Sequence, residues 1–224
     1  MKNKLALYID HTNLKPDAVT ADIEKICREA VEFGFASVCV QPWYIGLAAS
    51  LLRGTEVKTG SVAGFPLGAN LSGSKAAEVR ENISAGAEEI DMVMNMSAFK
   101  SGEYTAVGRD IGLQAEICRG AGVVLKVIIE TVFLSDEEKE RACSLVVRAG
   151  ADYVKTATGF SGGGATVADV ALMKKRVAGS GVKVKAAGGI RTASAARALI
   201  EAGADRIGTS SGVTIAWELE REYH

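Results

Sequence analysis

A lysine stands in the middle of Tyr153-Val154-Lys155-Thr156-Ala157-Thr158-Gly159, whose β-branched and small residues read as a buried strand running into a Gly-rich turn. An ammonium loses hydration in such a place, so Lys155 must either pair with an acid or give up its proton, and a neutral lysine is a nucleophile. Three further apolar frames hold an ionisable residue: Asp91 in Glu89-Ile90-Asp91-Met92-Val93-Met94-Asn95, Lys126 in residues 123–129, and Lys185 in residues 182–187. Period-two alternation groups Asp91 with Val93 and Asn95, Lys155 with Tyr153 and Ala157, and Lys185 with Lys183. All four charges can therefore point into one interior at comparable height, with Lys183 nearer the strand start and in solvent. Three lysines against one aspartate leave an excess of positive charge that a purely structural ion-pair cluster would not carry. It suits an amine that attacks a carbonyl: burial and a neighbouring Lys185 ammonium would lower Lys155 from about 10.4 toward neutral pH. Asp91, alone or through Lys185 and a water, could then move the protons that carbinolamine dehydration and enamine protonation require.

Two Gly-rich turns, Ala187-Gly188-Gly189-Ile190-Arg191-Thr192 and Gly208-Thr209-Ser210-Ser211-Gly212, each lead into a helix. Glycine lets backbone N–H groups approach an anion, and a helix N-terminus adds a favourable dipole. Either turn alone is as readily a tight connection; paired behind the last two strands of a barrel, they suit a phosphate.

The elements that must position these groups alternate along the chain. Strands are expected at residues 5–9, 37–40, 57–65, 89–95, 123–129, 153–159, 182–187 and 206–208, and Asp10-His11-Thr12-Asn13 would sit at the carboxyl end of the first. Helices are expected at 19–33 with Thr20 as cap, 43–52, 74–85, 104–119, 136–148 behind the capping signal Ser135-Asp136-Glu137-Glu138, 167–177, 193–202 and 215–220. Ala85-Gly86-Ala87-Glu88, Ala149-Gly150-Ala151-Asp152 and Ala202-Gly203-Ala204-Asp205 are echoes of one another, each a short helix-to-strand turn. Connections that short fit parallel strands with helices outside. The pattern implies an α/β protein, a (β/α)8 TIM barrel spanning residues 1–224 as one domain, with an open doubly wound sheet as the alternative.

Composition agrees. The 224 residues are 48% hydrophobic but only 6% aromatic with 25 Gly, and the net charge is −1, which gives no reason to expect nucleic acid or an anionic membrane as partner. Cys27, Cys39, Cys118 and Cys143 are far apart and read as free, buried thiols of a reducing compartment. No segment reaches the roughly 20 apolar residues of a membrane span and the N-terminus lacks an apolar leader, so the reading is cytoplasmic. With His11 and His224 the only histidines, a zinc site is not expected; a hard cation on carboxylates stays open. Trp43 and Trp217 suit either an interface of a homo-oligomer or packing against the barrel.

Taken together, Glu89–Val93, Leu125-Lys126-Val127-Ile128-Ile129-Glu130-Thr131, Val154–Phe160, Val184-Lys185-Ala186-Ala187-Gly188-Gly189-Ile190-Arg191 and Gly208-Thr209-Ser210-Ser211 resemble the deoxyribose-phosphate aldolase family, from Tyr8-Ile9-Asp10-His11-Thr12 almost to the end. The resemblance implies a cofactor-free class I aldolase that interconverts 2-deoxy-D-ribose 5-phosphate with D-glyceraldehyde 3-phosphate and acetaldehyde. It puts the Schiff base on Lys155 and the proton relay on Asp91 and Lys185, with Lys126 and Cys39 in the pocket. Asp10, Thr12 and Thr158 would lie around the sugar hydroxyls, and Gly188, Gly189, Arg191, Ser210 and Ser211 around the phosphate. Phe160 stands where some relatives have a lysine reaching the phosphate, so tolerance of unphosphorylated aldehydes is expected to be greater. Tyr223 matches a terminal tyrosine that assists proton transfer in some members. The alternatives are another Schiff-base barrel, such as a transaldolase-like enzyme, and a non-catalytic phosphometabolite-binding barrel.

Overall fold

A computed structural model describes residues 5–222, with side chains through Glu218. Its eight strands are β1 (Ile9–Asn13), β2 (Ser37–Val40), β3 (Lys58–Ala63), β4 (Glu89–Val93), β5 (Val124–Ile128), β6 (Tyr153–Lys155), β7 (Lys183–Ala187) and β8 (Arg206–Thr209). They pair in parallel in chain order and β1 closes on β8, so the sheet is a complete barrel. The helices around it are α1 (Thr20–Phe33), α2 (Ile45–Leu52), α3 (Ser72–Ser84), α4 (Met96–Lys100), α5 (Tyr104–Gly120), α6 (Asp136–Ala149), α7 (Val167–Val177), α8 (Ala193–Glu201) and α9 (Gly212–Glu222).

Alternation along the strands divides the molecule into two interiors. Ile90 and Met92 of β4, Leu125 and Val127 of β5, Val154 of β6 and Val184 and Ala186 of β7 join the helices' apolar stripes, such as Ile23, Ile26, Cys27 and Ala30 of α1, in one continuous core. Their neighbours in sequence face inward, which is how ionisable residues come to lie within apolar strands. Leu14, Cys39 and Val62, packed with Phe65, form a separate small cluster. All four cysteines are free and buried. Among the described residues no helix is long and apolar enough to cross a membrane.

Three local expectations are corrected. The first strand lies later than residues 5–9: Ala6–Tyr8 is a 3-10 turn, and the ladder begins at Ile9 with Asp10 opposite Ser37 and Gly208. Polar Asp10 can occupy a strand because its carboxylate is paired inside the barrel. Thr20 is the first helical residue and not the cap; Val19 precedes it, and the Asp22 carboxylate accepts from the Val19 N–H at 3.0 Å. The fourth strand ends at Val93, and Asn95 instead caps the unanticipated α4, its Oδ1 accepting from Ala98 N–H at 3.1 Å. Ser135 and Glu138 do form the anticipated capping box.

A second buried charge supports the end of β4. Lys75 of α3 is wholly buried; its Nζ donates to Val93 O at 2.9 Å and to Asp110 Oδ2 of α5 at 2.7 Å. Its stem fills the space a side chain would need at Gly64, which has φ +63°. Removing one member of such a pair leaves the other charge buried and alone. Asp110→Ala is therefore expected to cost about 3–5 kcal/mol, and the double change Lys75→Met with Asp110→Leu under about 2 kcal/mol. Urea unfolding of the three proteins checks this, and equal losses would contradict it.

Candidate active site

Strand register brings the inward charges together. Asp91 of β4 lies opposite Lys126 of β5, Lys155 of β6 opposite Lys185 of β7, and Lys185 opposite Arg206 of β8. Asp91 Oδ2 accepts from Lys155 Nζ and from Lys185 Nζ, each at 2.7 Å, while Oδ1 accepts from Lys126 Nζ at 3.1 Å. Lys126 also meets Glu89 at 2.5 Å and Asp10 at 3.5 Å, and Lys185 meets Asp10 at 2.5 Å. Arg206 bridges Asp10 and Glu89 beneath them. The sequence offered three lysines to one aspartate. Asp10, Glu89 and Arg206 revise that to four cations facing three carboxylates, so one positive charge remains in excess.

The excess has a natural owner. Lys126 and Lys185 each touch more than one carboxylate, whereas among the described residues Lys155 has Asp91 as its one ion-pair partner. Burial pushes the Lys155 ammonium below its ordinary range, the Asp91 carboxylate opposes this, and the Lys185 charge adds to the fall. Lys185 feels the same burial, but Asp10 and Asp91 outweigh it and hold its pKa up; Asp91, Glu89 and Asp10 do the same for Lys126. Burial would raise the Asp91 carboxyl, yet the three ammonium groups hold it well below the usual carboxylate range. Of the three buried lysines in the barrel, Lys155 alone is biased toward the free amine.

Above the cluster a cavity of about 450 Å³ opens at the carboxyl ends of the strands. Lys155 lies in its lining with Thr12, Thr158, Gly188, Gly189, Arg191 and Ser210. Asp10, Asp91, Lys126 and Lys185 are buried below, outside that lining, so Asp10 and Lys126 meet the other charges and not the cavity wall expected of them. Ser211 also lies outside it; its N–H donates to Thr209 Oγ1 at 2.9 Å, and that hydroxyl donates to Ile190 O at 2.6 Å, tying the β8 turn to the β7 turn. Gly188 (φ +94°) has to be glycine twice over, because an added Cβ would stand 3.0 Å from Gly164 Cα. Phe160 is half exposed at the cavity edge and meets Phe65 edge-to-face at 5.2 Å. Cys39 is buried, its thiol pushed up to about 11 by burial, first, and by Asp91.

Lys183 is exposed at the strand start as expected, with its ammonium 5.6 Å from the Tyr153 ring. Trp43 is exposed, Trp217 packs edge-on against Phe33, and Tyr223 lies outside the described residues. Among those residues no group of three His, Cys, Asp or Glu side chains is placed to hold a metal ion. Alternation puts Glu89, two residues before Asp91, on the same inward face, although as the first residue of β4 it reads as a strand boundary, and Arg206 at the start of β8 reads the same way. Two other groups gave no signal: Glu130, whose carboxylate binds Thr158, and Glu29, which meets the His11 ring at 2.8 Å.

A closed parallel barrel with a buried amine at the foot of a carboxyl-end pocket is the architecture of a (β/α)8 aldolase. The comparisons make that specific: the profile described as DeoC/LacD family aldolase matches residues 4–217, and the chain belongs to that family. It is 56% identical over 215 residues to the deoxyribose-phosphate aldolase of Geobacillus sp. (strain WCH70), covering 96% of each chain. It is 54% identical over 213 residues to the deoxyribose-phosphate aldolase of Thermococcus gammatolerans, covering 94% of each. A solved aldolase, QR15, superposes with TM-score 0.93 at 42% identity, over 98% of this chain and 97% of that one. The tetrameric deoxyribose phosphate aldolase of Aeropyrum pernix follows with TM-score 0.91 at 35% identity, over 96% and 91%.

Space for Lys185 depends on Gly208, where a Cβ would lie 2.9 Å from Ala187 Cβ and 3.0 Å from Lys185 Cε. Gly208→Ala is expected to displace Lys185 from Asp91 and lower kcat for aldol cleavage by on the order of 10–100-fold. The fold should lose only about 1–3 kcal/mol. Steady-state kinetics with a urea melt on the same sample checks this, and wild-type kcat would contradict the assignment.

Proposed function

We propose that the protein is a class I aldolase that reversibly cleaves 2-deoxy-D-ribose 5-phosphate to D-glyceraldehyde 3-phosphate and acetaldehyde through a Schiff base on Lys155. The observation that carries this reading is the unequal pairing of the three buried barrel lysines: Lys126 and Lys185 each meet more than one carboxylate, which outweighs their burial, whereas Lys155 shares one oxygen of Asp91 with Lys185 and is lowered. The substrate class follows from the names of the relatives at 56% and 54% identity.

In the cleavage direction the Lys155 amine adds to the sugar aldehyde, and the carbinolamine loses water to give a protonated imine. The bond between the second and third carbons then breaks, its electron pair passing to the imine nitrogen, while the third carbon's hydroxyl gives up its proton and becomes the product aldehyde. Protonation of the enamine carbon and hydrolysis release acetaldehyde and regenerate the amine. The imine nitrogen is the electron sink, so this route calls for no cofactor. Asp91, held ionised by its three lysines, and Lys185, held protonated by Asp10 and Asp91, form an acid–base pair 2.7 Å apart, with Lys155 at the same carboxylate oxygen. Asp10, Glu89, Lys126 and Arg206 fix that pair from below.

Thr12 and Thr158 are proposed to meet sugar hydroxyls, and Gly188, Gly189, Arg191 and Ser210 the phosphate, with Ser211 holding the turn through Thr209. Phe160 adds an apolar edge where a cation would strengthen the hold on that phosphate, in keeping with acceptance of unphosphorylated aldehydes. The same reading takes residues 1–224 as one aldolase domain working in the cytoplasm and allows a homo-oligomer, as in the Aeropyrum pernix enzyme whose tetramer is described.

Borohydride reduction in the presence of acetaldehyde should leave one N-ethyl group on Lys155, read by intact mass and peptide mapping. Lys155→Leu should show no adduct and about a thousandfold or greater loss of kcat. Because the neutral amine is the reactive form and burial lowers its pKa, trapping should slow only as pH falls through a value below the ordinary lysine range. Lys185→Met removes a charge that lowers Lys155, so the acid limb of the trapping rate should move to higher pH. An adduct that survives Lys155→Leu, or a limb at the ordinary lysine pKa, would overturn the reading.

A further inference from the structure

Glu130 follows β5 and is the one non-glycine residue among those described with a positive φ, at +48°. The backbone around it is fastened: Thr131 N–H donates to Thr156 O at 2.9 Å, and Phe133 N–H donates to Glu130 O at 3.1 Å. A left-handed glutamate is an unfavourable conformation that surrounding structure has to impose, and such residues gather at functional sites. Here it keeps a carboxylate, 3% exposed, aimed at the turn after β6.

That carboxylate organises the turn. Thr158 N–H donates to both of its oxygens at 3.2 Å, Thr158 Oγ1 donates to Oε2 at 2.5 Å, and Ser161 Oγ donates to Oε2 at 3.1 Å. Phe160 N–H in turn donates to Thr158 Oγ1 at 3.1 Å. A threonine hydroxyl has one proton and two lone pairs. The proton is committed to Glu130 and one lone pair to Phe160, so what Thr158 can offer the cavity it lines is a single acceptor.

We propose that Glu130 is a specificity-determining positioning residue: by holding the Thr158 hydroxyl as an obligate hydrogen-bond acceptor, it selects acceptor aldehydes that carry a hydroxyl donor beside the carbonyl. The inference rests on the aldolase reading above, since it concerns the polarity of the cavity wall next to Lys155 and not the bond-breaking step. Glutamine in place of Glu130 keeps the shape and the carbonyl acceptor for Thr158 N–H, but its NH2 group now donates. Thr158 would then turn its proton toward the cavity, so a substrate hydroxyl beside the carbonyl would have to accept where in the wild type it donates.

The test is aldol addition of acetaldehyde to D-glyceraldehyde 3-phosphate and to 3-oxopropyl phosphate, which lacks only the hydroxyl, by wild type, Glu130→Gln and Thr158→Val. Wild type is expected to favour the hydroxylated aldehyde in kcat/KM by about tenfold or more, the size of one ordinary hydrogen bond. Thr158→Val should lose that ratio, chiefly through the hydroxylated aldehyde, and Glu130→Gln should lower it, because the substrate hydroxyl must then accept from Thr158 instead of donating to it, while acetaldehyde trapping by Glu130→Gln stays at the wild-type level. Thr158→Val gives the same reading should Glu130→Gln fold poorly. A ratio unchanged in Thr158→Val, absent in wild type, or preserved in Glu130→Gln as both substrates fall together, would overturn the role of Glu130 alone. Wild type that traps no acetaldehyde would overturn the aldolase reading and this inference with it.

Discussion

Asp91 gives one carboxylate to three lysines from three neighbouring strands, and the chemistry of the barrel depends on how that carboxylate is divided. Charges this deep are costly, and a set of buried ion pairs is poor evidence of stability in itself. What the arrangement supplies is an unequal share. Lys126 and Lys185 have Asp10, and Lys126 has Glu89 as well, whereas Lys155 must divide one oxygen with Lys185. In a closed set with one cation too many, the least supported amine is the one that yields its proton.

The rest of the fold can be understood as the means of holding that division. Parallel pairing in chain order puts the charged strands side by side, and the register sets Asp91 level with Lys126 and Lys155 level with Lys185. Gly208 leaves room for the Lys185 stem, and the outer apolar layer between strands and helices supplies the burial that desolvates the amines. Beyond Lys155 the ladder gives way to a side-chain bond, as the Thr156 hydroxyl donates to Ala187 O and accepts from Ala187 N–H, each at 2.9 Å. The amine is thus the last ladder residue of β6 before the chain becomes the wall of the cavity.

The barrel and its strand order were legible because β-branched runs, Gly turns and helical stripes repeat along the chain, and Lys155, Lys185, Lys126 and Asp91 stood out as charges in apolar frames. Legibility failed where a residue's meaning lies in its partner. In sequence Asp10 reads as a strand terminus although Arg206 and Lys185 enclose it in the fold, and Glu89 and Arg206 read as strand edges although they complete the cluster from below. Glu130 reads as an ordinary polar residue after an apolar run. Its importance comes from a backbone angle and from contacts 28 residues away, which no local pattern encodes.

The Thr209 hydroxyl, donating to Ile190 O and accepting from Ser211 N–H, joins the two Gly-rich turns into one mechanical body. An oxyanion settling on either turn would therefore stiffen both, and its charge would be felt by a ready-made socket rather than by two independent arms. It also means that a change at position 209 would be registered in both Gly-rich turns at once.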